Sequence, residues 1–212
     1  MKSILISFEG IDGSGKSTQA GILFDLLKSM CIPVNLFREP GGTHIGENIR
    51  KILLDKNNSD ISPLTELFLY LSARAQITHS LILPALLNGE IVIMDRYIDS
   101  TTAYQGFARG LGFENAVYLN KIVTEGLVPD ITFFIDCPPE TALKRIKTDF
   151  DRLESEGLSF MKKVREGFLK IAEIDKERVV VCNGESDIVT LKNHIIGVLS
   201  SRFHIFQNLS SS

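Results

Sequence analysis

Five short apolar runs recur along the chain: ILISF (4–8), VNLF (34–37), IVIM (91–94), ITFFI (131–135) and VVVC (179–182). Each is rich in β-branched or aromatic residues and too short for a helix, so each is predicted to be a buried strand. The segments between them carry helical spacing. Ala20, Leu23, Phe24, Leu27 and Met30 share one helical face, and Ile45, Ile49, Ile52 and Leu53 mark a short amphipathic helix. Pro63 opens a longer helix through Tyr70 and Arg74, followed by a further turn or helix ending near Asn88 and Gly89. Another is predicted near 114–125, stopped by Gly126, and Pro139 sits where a first helical turn tolerates it. A helix, the last strand and a final helix follow residue 156, and 207–212 is a polar end expected to fray. Strands alternating with helices predict an α/β, three-layer fold: a five-stranded parallel sheet covered on both faces. All 212 residues read as one domain.

Polar clusters stand at the carboxyl ends of these runs: Glu9-Gly10, Arg38-Glu39, Asp95-Arg96 and Asp136. Open parallel sheets bind their ligands at that edge. Apolar residues make up 44% of the chain, enough for a core, and the formal net charge is −3. That charge gives no electrostatic grip on a nucleic-acid polymer, though it leaves room for a local nucleotide site. No apolar run approaches the length of a membrane span, and MKSILISF is too short for a signal peptide. Cys31, Cys137 and Cys182 are scattered and odd in number, which fits reduced thiols in a cytoplasmic protein. The four histidines show no paired spacing, and no Ser-His-Asp or Cys-His arrangement appears.

The segment from Gly10 through Ile11, Asp12, Gly13, Ser14, Gly15 and Lys16 to Ser17 satisfies G-x-x-x-x-G-K-[ST], with a strand before it and a helix after, and Thr18 continues into that helix. This is a P-loop. Its glycines let backbone N–H groups turn inward around phosphates, and the helix start adds its positive dipole end. Lys16 is expected to reach the β- and γ-phosphates and Ser17 to sit on Mg2+. The loop implies ATP or GTP as donor; the absence of an N/T-K-x-D signature weighs against a GTPase. Asp95, at the end of the third run, is a second candidate for Mg2+ or its water. Arg96 beside it could aim a fork of donors at a second phosphate.

FEGIDGSGKST, FREPGGT, GENIRKILL, YLSARAQ, DRYIDSTTAYQG, PDITFFID and DRLESE, in this order, together resemble the bacterial thymidylate kinase family. The block DRYIDSTTAYQG is the most specific piece. The resemblance implies transfer of the γ-phosphoryl group of ATP to dTMP, giving dTDP in dTTP biosynthesis, by a homodimer. It also assigns positions: Arg38 and Arg96 to the dTMP phosphate, Arg50 near the acceptor, Tyr70 stacked on thymine and Arg74 bonded to its O4. Phe is usual in the family at the position of Tyr70; stacking survives the change. Thr101 and Gln105 match base-contacting positions, and Tyr104 matches a tyrosine that crowds a ribose 2′-hydroxyl. Asp12 matches an acid that contacts either the sugar hydroxyl or the metal water. Asp99 and Glu39 match positions that can hold an arginine in place. On spacing alone, Tyr70 and Tyr104 also suit a core and Arg74 a solvated helix face.

The loop itself contains no arginine. The charged segment 141–157 carries Lys144, Arg145, Lys147 and Arg152 among interleaved acids, and it suits either a solvated helix and loop or a lid over ATP. The resemblance is to members with small residues in the loop and basic residues in the lid. It makes Lys16, Arg152, Arg96 and Asp12 the expected catalytic set, with Arg152 as the transition-state cation and Arg145 holding ATP. A kinase for another nucleotide or nucleoside, or an ATP-binding regulator without turnover, are the competing readings.

Overall fold

All five predicted strands form, and each extends one residue further than its apolar run: β1 (Ile4–Glu9), β2 (Val34–Arg38), β3 (Ile91–Asp95), β4 (Ile131–Asp136) and β5 (Val179–Asn183). The computed structural model describes residues 3–146 and 151–211, and side chains through residue 207. The sheet is parallel throughout, in the order β2-β3-β1-β4-β5. The order reverses direction at β1, so the loop after β1 lies at the crevice where such sheets take ligands.

Helix α1 (Lys16–Ser29) and α9 (Ile188–Arg202) cover one face of the sheet. Leu23, Leu27, Leu191, Ile195 and Leu199 pack there on Ile4, Ile6 and Phe8, which alternate along β1. Leu5 points the other way and packs with Val92, Met94, Ile77 and Ile82. That second face is covered by α3 (Pro63–Ile77), which passes through a π-helical turn at Thr78–Ile82 into α4 (Leu83–Leu87), and by α8 (Leu158–Ile174). The stacked rings of Phe134 and Phe168, centroids 5.1 Å apart, fix α8 on β4.

The remaining elements sit at the carboxyl edge. Helix α2 (His44–Leu54) is capped by Thr43, whose hydroxyl accepts from the Gly46 amide. After β3 comes α5 (Ile98–Thr101), which runs directly into a seven-residue π-helix, Thr102–Ala108. Helix α6 (Phe113–Val123) follows, and α7 (Pro139–Arg145) begins after β4. Residues 98–108 form one continuous helical unit that the apolar spacing does not reveal. The i→i+5 bonding of its π-helical part departs from the 3.6-residue period by which an apolar helical face is read, and the unit is only a few turns long. The end of the chain also differs from expectation: His204–Ser211 forms a 3-10 helix, and the Phe206 ring is fully buried against α9.

Of the segment expected to act as a lid, residues 147–150, including Lys147, lie outside the described residues. Its second half returns as a 3-10 turn, Glu154–Glu156. Among the described residues no helix is long and apolar enough to cross a membrane. All three cysteines are free: Cys137 and Cys182 are buried, and Cys31 is exposed.

Candidate active site

β1 ends in Glu9, and the chain turns through Gly10 with φ 143°. A Cβ on Gly10 would lie 2.7 Å from the Ile135 carbonyl oxygen. At Gly13, with φ 79°, a Cβ would lie 2.2 Å from the carbonyl oxygen of Ala142 in α7. A side chain at position 13 would collide with the backbone of α7 unless that helix moved. The Lys16 side chain is almost wholly buried and donates to Asp12 Oδ1 at 3.0 Å and to the Ile11 carbonyl at 3.5 Å. Gly10 and Ile11 build the loop, whereas Asp12 and the run Gly13–Thr18 line an open groove of about 950 Å³. Arg145 lines the same groove and donates to Gly184 O at 2.8 Å and Gly13 O at 3.4 Å, so it ties α7 to both walls.

On the other side of Asp12 lies a smaller pocket of about 70 Å³. Its wall includes Arg50, Tyr70, Arg96, Thr101, Tyr104 and Gln105. Six of the eight residues expected to bind the acceptor thus converge on it, drawn from α2, α3, the end of β3 and the α5–π unit. Thr101 and Gln105, four apart, reach it together even though the helix changes hydrogen-bond pattern between them. Arg96 holds a left-handed backbone, φ 70°, a conformation costly for any residue with a Cβ and found where geometry is functional. Its guanidinium donates to Gly10 O at 2.8 Å, to Ser100 Oγ at 3.2 Å and to Asp12 Oδ1 at 2.6 Å, and it lies 5.3 Å from the Tyr104 ring centroid.

Asp12 is therefore the shared wall. Burial alone would raise its pKa; Arg96 and Lys16 together more than offset that and hold the carboxyl well below the usual range. Glu9 lies just beneath, fully buried, accepting from the Tyr97 amide at 2.7 Å and the Ser100 hydroxyl at 2.5 Å. Burial, reinforced by Asp99, raises its pKa to about 7 against the hydrogen bonds and Arg96.

Three expected positions lie elsewhere. Arg38 is exposed and donates to both carboxylate oxygens of Glu47, at 3.0 and 3.2 Å, outside the pocket wall. Arg74 is only 1% exposed and stands behind the wall. Its Nε and Nη2 donate to Glu39 Oε2, Nη2 also to Tyr97 O, and Nη1 to Thr101 Oγ1 and Asn120 Oδ1, so all five donors are taken within the protein. Arg152 is 8% exposed and does not line the groove over Gly13–Thr18. It donates to Leu53 O at 2.8 Å and to Glu66 at 2.6 Å, because the fully buried carboxylate of Glu66 draws cations to it.

Two metal candidates stand near the loop. Ser17 is exposed in the groove, and Asp95 Oδ1 is buried with no hydrogen-bond partner among the described residues. A buried, unpartnered carboxylate oxygen and an exposed serine hydroxyl are the oxygen donors a hard cation takes, so these residues suit Mg2+. Tyr104 OH and Glu39 Oε1 are likewise unpartnered among the described residues, and both residues line the smaller pocket. Sequence reasoning assigned no role to Glu66, Ser100 or Arg109. Glu66, a charge one turn before Tyr70 inside an apolar helix, was the signal available.

A family model described as thymidylate kinase matches residues 8–195. The chain belongs to the thymidylate kinase family. A thymidylate kinase of Thermoanaerobacter sp. (strain X514) is 48% identical over 200 residues, 94% of this chain and 98% of that protein. One from Sulfurihydrogenibium sp. (strain YO3AOP1) is 51% identical over 197 residues, 93% and 97% of the two chains. Among solved structures, thymidylate kinase from Ehrlichia chaffeensis superposes with a TM-score of 0.79 at 34% identity, covering 94% of this chain and all of that one.

Proposed function

We propose that this enzyme transfers the γ-phosphoryl group of ATP to dTMP, giving dTDP and ADP in dTTP biosynthesis. The observation that carries the reading is the placement of Asp12 between two cavities, paired with Lys16 toward one and Arg96 toward the other. A phosphoryl group moving between the cavities passes between two fixed cations. Phosphoryl transfer is accelerated mainly by such positioning and charge, without a covalent nucleophile.

The roles follow from the chemistry of each group. Loop amides and Lys16 hold the ATP phosphates, and Arg145 closes the groove at α7. Ser17 and Asp95 would hold Mg2+, which when bound neutralises charge on the β- and γ-oxygens. Arg96, and Arg50 near it, orient the dTMP phosphate, and the left-handed backbone of Arg96 fixes the fork in advance. Tyr70 offers a face for the base, Thr101 and Gln105 offer polar edges, and Tyr104 crowds the sugar. Asp12 keeps Lys16 and Arg96 in register until substrates replace its ion pairs.

A homodimer fits the surface. Ile45 and Ile52 of α2, Phe68 of α3, and Tyr118 and Ile122 of α6 are each 45–65% exposed, and α3 packs between the other two helices. The three free thiols support a cytoplasmic setting. The test is an acceptor panel of dTMP, dUMP, dCMP, dGMP and thymidine with ATP and Mg2+. dTMP is expected to give the highest kcat/KM. Thymidine as the best acceptor would overturn the phosphate-holding role of Arg96.

A further inference from the structure

We propose that Glu66 is a positioning residue that latches the lid segment against the acceptor pocket. Glu66 sits on α3 four residues before Tyr70, with its carboxylate fully buried. Oε1 accepts from Gln105 Nε2 at 2.9 Å and Arg109 Nε at 3.2 Å, and Oε2 accepts from Arg109 Nη2 at 3.1 Å and Arg152 Nη2 at 2.6 Å. One carboxylate thus joins three elements: the helix carrying Tyr70, the π-helix carrying Gln105, and the lid. Burial raises the Glu66 pKa, but these donors outweigh it and keep it ionised.

The lid side of the joint is specific. Arg152 also donates its Nε to Leu53 O, and its amide donates to Leu54 O at 3.3 Å, so the turn is docked on the end of α2. Its neighbours Asp151 and Leu153, together with Leu54, line the acceptor pocket. Arg109 closes a second tie: its Nη2 donates to Glu156 at 2.6 Å and its guanidinium lies 4.5 Å from the Phe160 ring centroid. The pocket wall made by 151–153 is therefore held by Arg152 on Glu66, not by apolar burial alone. Releasing Glu66 frees that wall while leaving the P-loop and sheet untouched.

The inference rests on the acceptor assignment made above, so the test has a readout independent of catalysis. In Glu66→Gln and Arg152→Gln enzymes, amide hydrogen exchange at 151–156 should accelerate at least about ten-fold, the scale of one lost charge-assisted hydrogen bond. Exchange in β1 and 10–18 should stay unchanged. In steady-state kinetics, KM for dTMP should rise about ten-fold with KM for ATP within about two-fold. The double variant should lose clearly less than the sum of the two single losses, because both remove the shared Arg152–Glu66 bond. Arg152→Lys, which keeps the charge, should recover part of the dTMP effect. Equal rises in both KM values, additive double-variant losses, or unchanged exchange at 151–156 would each overturn the latch. If Glu66→Gln fails to fold, Arg152→Gln, which leaves Glu66 with Arg109 and Gln105, decides the question alone. Failure of the wild-type enzyme to phosphorylate dTMP would instead sink the acceptor assignment and leave the exchange test standing.

Discussion

Arg74→Ala separates two roles that the sequence alone could not. As a base-contacting side chain, Arg74 would control dTMP affinity and little else. The structure gives it five hydrogen bonds inside the protein, with Glu39 as its buried counter-charge. Removing one partner of a buried pair costs about 3–5 kcal/mol, because the other charge stays uncompensated. Glu39 is only 4% exposed, and its Oε1 already lacks a partner among the described residues. Thr101 Oγ1, Asn120 Oδ1 and Tyr97 O lose a donor as well, which places the loss toward the upper end of that range. For a domain of this size about 2–4 °C of Tm accompanies each kcal/mol, so Tm should fall by roughly 8–20 °C. The assay is urea unfolding with thermal melts of Arg74→Ala, Glu39→Gln and the double variant. Neutralising Glu39 should recover part of the loss, giving a strongly non-additive cycle. A stability loss below about 1 kcal/mol, with a dTMP KM effect alone, would refute the supporting role and restore the base contact.

Gly13→Ala should cost about 2–4 kcal/mol, since the left-handed backbone and the Ala142 oxygen 2.2 Å from the new Cβ both oppose it. Its KM for ATP should rise as α7 and Arg145 shift, and urea curves overlaying the wild type would sink the packing argument. Glu9→Gln tests a buried carboxyl whose pKa of about 7 lies above its ordinary 4.5. A raised folded-state pKa contributes stability below pH 4.5 that is lost as pH rises through 7, about 3 kcal/mol in all. The variant should therefore melt close to wild type at pH 5 and several degrees above it at pH 8, and a pH-independent difference would contradict this. Asp95→Asn should raise the Mg2+ concentration for half-maximal rate about ten-fold or more, and an unchanged Mg2+ titration would remove Asp95 from the metal site.

Much of this architecture is legible in the chain because apolar runs and helical spacing are local signals. All five strands were readable, yet each by one residue too few. The missing residue is Glu9, Arg38, Asp95, Asp136 or Asn183, the polar side chain that ends its strand at the functional edge. Hydrophobicity stops where chemistry begins. The P-loop was readable because its backbone geometry demands glycine at fixed spacing, and Tyr70 and Gln105 because their motifs carry the family pattern. What spacing could not give is the direction of long charged side chains. Arg74 and Arg152 each met a buried carboxylate, Glu39 or Glu66, far away in sequence, and pairing energy in a dry interior decided where they went. The π-helix at Thr102–Ala108 was hidden for a related reason: tertiary contacts with α8 and α6, not its own periodicity, define it.

In the proposed arrangement donor and acceptor lie on opposite sides of Asp12. A crystal structure with dTMP and a non-hydrolysable ATP analogue tests it most directly. The dTMP phosphate is expected on Arg96 with its base between Tyr70 and Gln105, and the analogue's phosphates over Gly13–Ser17. dTMP seated instead in the groove lined by Ser17 and Arg145, with the Tyr70 pocket empty, would contradict it.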